Sequence, residues 1–172
     1  MSDDPMTERR PGQILLGWWS TYLGARENSA QKTLSARLRR GDDVTVLCQP
    51  EVHLLAQELG LRDGARLARL ARLLAHVRTH VPRRLPQILG QKPGKDAQPP
   101  LSRLRFERLI QSSDEDLETA LRRALPMAGQ SCNVAHLGES VLMWSDRTRT
   151  TWCFDYYGAP APDTLISEDI SQ

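Results

Sequence analysis

Apolar residues along this chain recur three and four positions apart almost throughout, a spacing that predicts α-helices rather than strands. Ile14, Leu15, Trp18, Trp19 and Tyr22 form one stripe, so a short helix starts after residue 12 and stops at Gly24. The two tryptophans fit a buried stripe rather than a ligand platform. Asn28 or Ser29 caps a second helix, which ends on Arg37, Leu38, Arg39, Arg40 and Gly41. Cations in that last turn suit the negative end of the helix dipole and leave a phosphate contact open. Val44 to Leu47 is the one stretch that reads as a brief strand. Pro50 suits the first position of a helix carrying Val52, Leu54, Leu55 and Leu59 and closed by Gly60. The longest helix is expected from Asp63 to His80. Its apolar face is Leu67, Leu70, Leu73, Leu74 and Val77, and Arg62, Arg66, Arg69, Arg72 and Arg78 form a solvated basic outside.

Prolines 82, 86, 93, 99 and 100, interspersed with Gly90, Lys92, Gly94 and Lys95, break the pattern and predict a basic linker. Helices resume beyond it. Ser102 precedes Leu104, Phe106, Leu109 and Ile110; Ser113, followed by Asp114, Glu115 and Asp116, starts a helix through Leu117, Leu121 and Leu125. Asn133 caps another with Val134, Leu137, Val141, Leu142 and Trp144, and the last runs from about Asp146 past Trp152, Phe154, Tyr156 and Tyr157 to Gly158. The expected architecture is all-α, two small helical bundles at 13–90 and 101–158 joined by a loop at 91–100. Residues 1–12 and the acidic 159–172 are expected to be disordered.

Charge sharpens this picture. Of the 23 basic residues 20 are arginines, and all lie between Arg9 and Arg149, so a formal +2 conceals a basic body with an excess of nine positive charges between acidic ends. That excess falls within Arg62 to Arg108, where twelve cations face Asp63, Asp96 and Glu107. Arginine forks pair with phosphate at two points and stack on bases, which directs attention to nucleic acid.

Signatures of other chemistry are missing. No phosphate-binding glycine loop, nucleophile elbow or H-E-x-x-H zinc motif occurs. His76 and His80, four apart on the expected long helix, have no acidic third ligand nearby, and Cys132 with His136 has no orienting carboxylate. The acids at 114–118 are accounted for by a helix start. No catalytic residue, metal or cofactor is therefore assigned. Cys48, Cys132 and Cys153 are odd in number and widely spaced, as expected of reduced, buried thiols. No membrane span or signal peptide is read, and the expected location is the cytoplasm.

L-S-R-L-R-F-E-R-L-I-Q at 101–111, L-R-R-A-L at 121–125, N-V-A-H-L at 133–137 and L-M-W-S-D-R-T-R at 142–149, closing on W-C-F-D-Y-Y-G, stand in order at fitting separations. G-W-W-S-T-Y-L, the L-R-R at 38–40 and L-P-Q-I-L-G at 85–90 add looser agreement in the front half. Together these resemble the CasB family, the small subunit of the type I-E CRISPR surveillance complex, Cascade. The resemblance implies a non-catalytic subunit of two helical bundles, present as two adjacent copies beside the backbone and large subunits. It would contact guide RNA and both the target and displaced DNA strands, steadying the R-loop in antiviral defence.

By position, the resemblance places the basic surface on Arg39, Arg40, Lys92, Arg105, Arg108, Arg122, Arg123, Arg147 and Arg149. Arg105, Arg122 and Arg149 lie in the best-matched motifs. Arg122 and Arg123, adjacent on a helix, point about 100° apart, so one of the two is expected to face nucleic acid. Gln87 stands where relatives often carry a cation, which weakens the case for a phosphate contact there. The competing expectations are a helical adaptor whose arginines serve protein contacts alone, and a helix-turn-helix regulator. Val134, Ala135 and His136 at the start of the helix after Asn133 are poor base readers and weigh against the regulator.

Overall fold

The computed structural model describes residues 9–24, 26–160 and 162. Among these, the helices are α1 (Pro11–Tyr22), α2 (Ser29–Arg40), α3 (Asp43–Leu47), α4 (Pro50–Leu59), α5 (Gly64–Ala75), α6 (Leu85–Gly90), α7 (Arg103–Ile110), α8 (Asp114–Ala124), α9 (Val134–Leu142) and α10 (Asp146–Tyr157). The protein is all-α apart from two very short strands, β1 (Thr79–His80) and β2 (Ser131–Cys132).

Short polar side chains set most helix starts. Asn28, Asp42, Asp63, Ser102, Ser113, Asn133 and Ser145 each accept a hydrogen bond from a backbone N–H in the first turn they precede. Gly60 and Gly158 close α4 and α10 in the left-handed conformation. The tryptophans of α1 are buried, as expected, and both indole N–H groups are used. Trp18 donates to the Glu51 carbonyl at 2.8 Å, and Trp19 to those of Leu74 and Val77 at 3.2 and 3.3 Å.

Several local expectations are corrected. Residues 11 and 12 are helical rather than loose, because Pro11 serves as the first residue of α1; residues 1–8, and all of the expected acidic tail except 159, 160 and 162, lie outside the described residues. Val44 to Leu47 is helical because Asp42 caps it, its side chain accepting from the Thr45 N–H at 2.8 Å. The long helix stops at Ala75, five residues early, and the chain turns at His76 to extend as β1. β1 lies parallel to β2, Thr79 opposite Ser131 and His80 opposite Cys132. Two-residue strands leave no periodicity to read. The short helix α6, within the proline-rich stretch, was also unexpected; Pro86 sits in its first turn, where a missing N–H costs nothing.

Tertiary packing interleaves the two halves. α1 lies along α9 and α6 along α10, and buried residues from both halves join one hydrophobic cluster. Two glycines permit these approaches. A Cβ on Gly90 would stand 1.8 Å from the Tyr156 carbonyl oxygen, and one on Gly138 would stand 2.5 Å from Leu15. Residues 91–100 form no helix or strand.

Candidate nucleic-acid interface

The nine expected contact residues fall at several places, and the largest grouping is built around α8. This helix starts with Asp114, Glu115 and Asp116 beside its Ser113 cap and ends with Arg122 and Arg123, an order that suits its dipole at both ends. Leu117 and Leu121 bury its inner face, leaving Arg122 and Arg123 exposed on its flanks.

On one flank, Arg122 joins Arg39 and Arg40 in lining a shallow groove between α8 and the α2–α3 junction. The floor of this groove is an ion-pair network. Arg72 of α5, 10% exposed in its side chain, donates to both carboxylate oxygens of Glu118, to Asp43 at 2.8 Å and to the Gly41 carbonyl at 3.1 Å. Arg72 is therefore no part of a solvated basic face. Helical periodicity could not reveal this, since its partners lie 29 and 46 residues away. Its neighbours keep closer to that expectation: Arg66 makes a loose surface pair with Asp114 at 3.8 Å, and Arg69 reaches the Asp114 carbonyl at the surface. With Glu118 engaged by Arg72, its 4.0 Å contact with Arg122 is weak, and the Arg122 guanidinium remains accessible.

Arg39 is half-buried, and its pKa is lowered by burial and by nearby Arg78 and Arg40, a sign of crowded positive charge. Arg26, which sequence reasoning missed, and the exposed Arg78, expected on the solvated face of the long helix, belong to this cluster. Arg26 donates to Ser35 Oγ at 2.8 Å, to the Val77 carbonyl at 3.2 Å and to the Ala75 carbonyl, so it caps the end of α5 rather than facing solvent. Nothing in its sequence neighbourhood signals that role.

On the other flank, Arg123 faces Arg105 and Arg108 of α7 across a second groove, whose one acid is Asp116. Both members of the Arg122–Arg123 pair thus reach an arginine-bearing groove, one each, the first also lined by Asp42, Asp43 and Glu118. Lys92 lies elsewhere, in a third groove between α6 and α10 with Arg83 and Arg103. Arg103 sits inside the L-S-R-L-R motif and could have been read from it. Arg147, exposed, borders a fourth cavity beside Met143 and Thr151. Arg149 is held within the fold: it pairs with Asp146 at 3.4 Å, donates to the Ser112 carbonyl at 3.3 Å and lies 5.7 Å from the Trp144 ring centre.

The histidine and cysteine pairs take structural places. His76 ends α5 while His80 lies on β1, where its Nδ1 accepts from the Val134 N–H at 3.1 Å, so they no longer share a helix face. Among the described residues no group of three His, Cys, Asp or Glu is placed to hold a metal, and no helix is long and apolar enough to cross a membrane. Burial pushes the Cys132 thiol up to about 12. Cys48 is exposed, contrary to expectation.

Burial, with Arg122 and Arg39 nearby, lowers the His76 pKa from the ordinary 6.5 to about 4; burial, with Arg84, does the same for His136. Because both stay neutral in the fold, the unfolded chain takes up protons first. Stability is full above pH 6.5 and falls as pH drops towards 4, by roughly 1–3 kcal/mol for the pair after solvent screening. Urea midpoints at pH 7 and 4.5 check this, and His136→Phe, which keeps the ring against Trp152, is expected to reduce the acid loss.

Residues 35–157 match the profile of the family described as CRISPR-associated protein Cse2. The chain belongs to that family. The match runs from the middle of α2 to the end of α10, and agrees with the resemblance carried by the motifs of the second half. The fold is similar to that in the crystal structure of CasB from Thermus thermophilus, with a TM-score of 0.63 and 20% identity over 88% of this chain and all of that one. No curated protein matches the chain. Family membership supports a place among the subunits of Cascade.

Proposed function

We propose that this Cascade subunit is a non-catalytic binder of nucleic-acid backbones, stabilising the R-loop by contacts to guide RNA and to the target and displaced DNA strands. The observation that carries the reading is α8, whose adjacent Arg122 and Arg123 open onto two grooves completed by Arg39 and Arg40 and by Arg105 and Arg108. In the first groove Arg72 engages Asp43 and Glu118 and Asp42 caps α3, which leaves Arg39, Arg40 and Arg122 for a ligand; with the second groove across α8, this suits two phosphate paths side by side. Strand exchange in an R-loop is nearly balanced, so a few phosphate contacts that read no sequence can tip it. Lys92 and Arg147 are accessory contacts, and Arg149 supports the surface from within. The remaining partners in this reading are the backbone and large subunits and a second copy of the chain.

Replacing Arg39, Arg40, Arg105, Arg108, Arg122 and Arg123 by glutamine in the full chain tests the reading. Binding of the native chain to an oligonucleotide should weaken steeply with salt, and in the variant the slope of log affinity against log salt should shrink by about 0.7 for every single-strand phosphate left without its cation. An unchanged slope would exclude these grooves. Absence of any association at low salt, with partner subunits still bound, would leave the adaptor reading.

A further inference from the structure

We infer that the groove between α6 and α10 is a base-stacking subsite for single-stranded nucleic acid, with Tyr157 as its platform. This rests on the proposed binding of nucleic acid and adds to it a ligand class, the unpaired base. Tyr157 ends α10 and is 61% exposed, the one exposed ring among the phenylalanines, tyrosines and tryptophans of the described residues. Its position is nonetheless well supported. The ring stands edge-on to Tyr156, centres 5.0 Å apart at 89°, while the buried Tyr156 stacks on Phe106 at 4.0 Å and donates its hydroxyl to the Leu101 carbonyl at 2.6 Å. Gly90 presses directly against the Tyr156 backbone, fixing the last turn of α10 against α6. A ring supported in this way loses little conformational freedom when a base settles on it.

The charges around it suit a strand backbone. Arg83, Lys92 and Arg103 line the same groove, a cavity of about 710 Å³, while Gln91 and Gln98 add amides able to bond base edges. Its acid, Asp155, is 10% exposed and already paired with Arg84 at 3.3 Å; Glu107 contacts Arg103 at 3.3 Å, both ends in solvent. An exposed, supported aromatic beside cations is the arrangement that binds single strands without reading sequence. A duplex keeps its bases stacked inside and has none to offer the ring.

Three fluorescently labelled probes separate the contributions: oligo(dT), a blunt-ended duplex without a loop, and an abasic deoxyribose-phosphate strand of equal length. Each is titrated with the full native chain, Tyr157→Ala and Tyr157→Phe. Tyr157→Ala is expected to bind oligo(dT) about tenfold more weakly than the native chain, Tyr157→Phe to keep the native affinity, and all three proteins to bind the duplex and the abasic strand alike. Native affinity of Tyr157→Ala for oligo(dT), or an equal loss on the abasic strand, would overturn the subsite while leaving backbone binding intact. If the native chain bound none of the probes at low salt, the underlying nucleic-acid reading would fall with it.

Discussion

Arg72→Ala should lower the stability of this protein by about 3–5 kcal/mol, because it leaves the carboxylate of Glu118 desolvated and without its partner. Glu118 is 13% exposed in its side chain and takes two hydrogen bonds from Arg72, whereas Asp43, half-exposed, can turn to water. The same change releases the Gly41 carbonyl and the turn between α2 and α3, so the first groove should lose its floor along with its stability. For a chain of this size the expected drop in thermal midpoint is roughly 10 °C. Scanning calorimetry of Arg72→Ala beside the double variant Arg72→Met, Glu118→Leu checks the cause. Replacing both charges by apolar side chains of similar volume removes the stranded carboxylate, and most of the lost stability should return. A single variant that melts within a degree or two of the native chain would show that the pair contributes little.

Trp152→Ala should cost a comparable amount, about 3–5 kcal/mol, for a different reason. Trp152 is fully buried, sits edge-to-face with Trp144 at 5.2 Å, and donates its indole N–H to Ser140 at 3.0 Å. Truncation leaves a cavity between α9 and α10 and a buried hydroxyl without its donor. Trp152→Phe refills most of the space and leaves only the hydroxyl unpartnered, so it should recover more than half of the loss in urea unfolding. Equal losses in the two variants would place the energy in the hydrogen bond rather than in packing.

These two residues differ in how far the sequence revealed them. Trp152 stands in the aromatic run of the last helix with Phe154, Tyr156 and Tyr157, so the sequence named it as apolar without telling it from the exposed Tyr157. Arg72 stands in a row with Arg66 and Arg69 at helical spacing, and by pattern it belongs on a wet face. Its burial depends on Asp43 and Glu118 arriving from two other helices, and contacts across 29 and 46 residues leave no local trace. Arg149 shows the same limit, being drawn to Trp144 and the Ser112 carbonyl. The candidate contacts themselves were legible, because Arg39, Arg40, Arg105, Arg108, Arg122 and Arg123 lie in motifs. Their division into two grooves was not.

Eight of the ten helices among the described residues, most of their caps and the all-α class follow from the sequence alone, since apolar spacing, Ser, Asn and Asp caps and glycine ends act within a few residues of one another. Family membership was legible for a related reason: a series of short motifs in order survives without any knowledge of contacts. Tertiary structure decided which arginines are structural and which are exposed, where α5 stops to pair β1 with β2, and how closely α6 meets α10 at Gly90. Those outcomes depend on groups brought together from distant parts of the chain. The burial of a charge or the clearance for a single methyl group is set only when they meet.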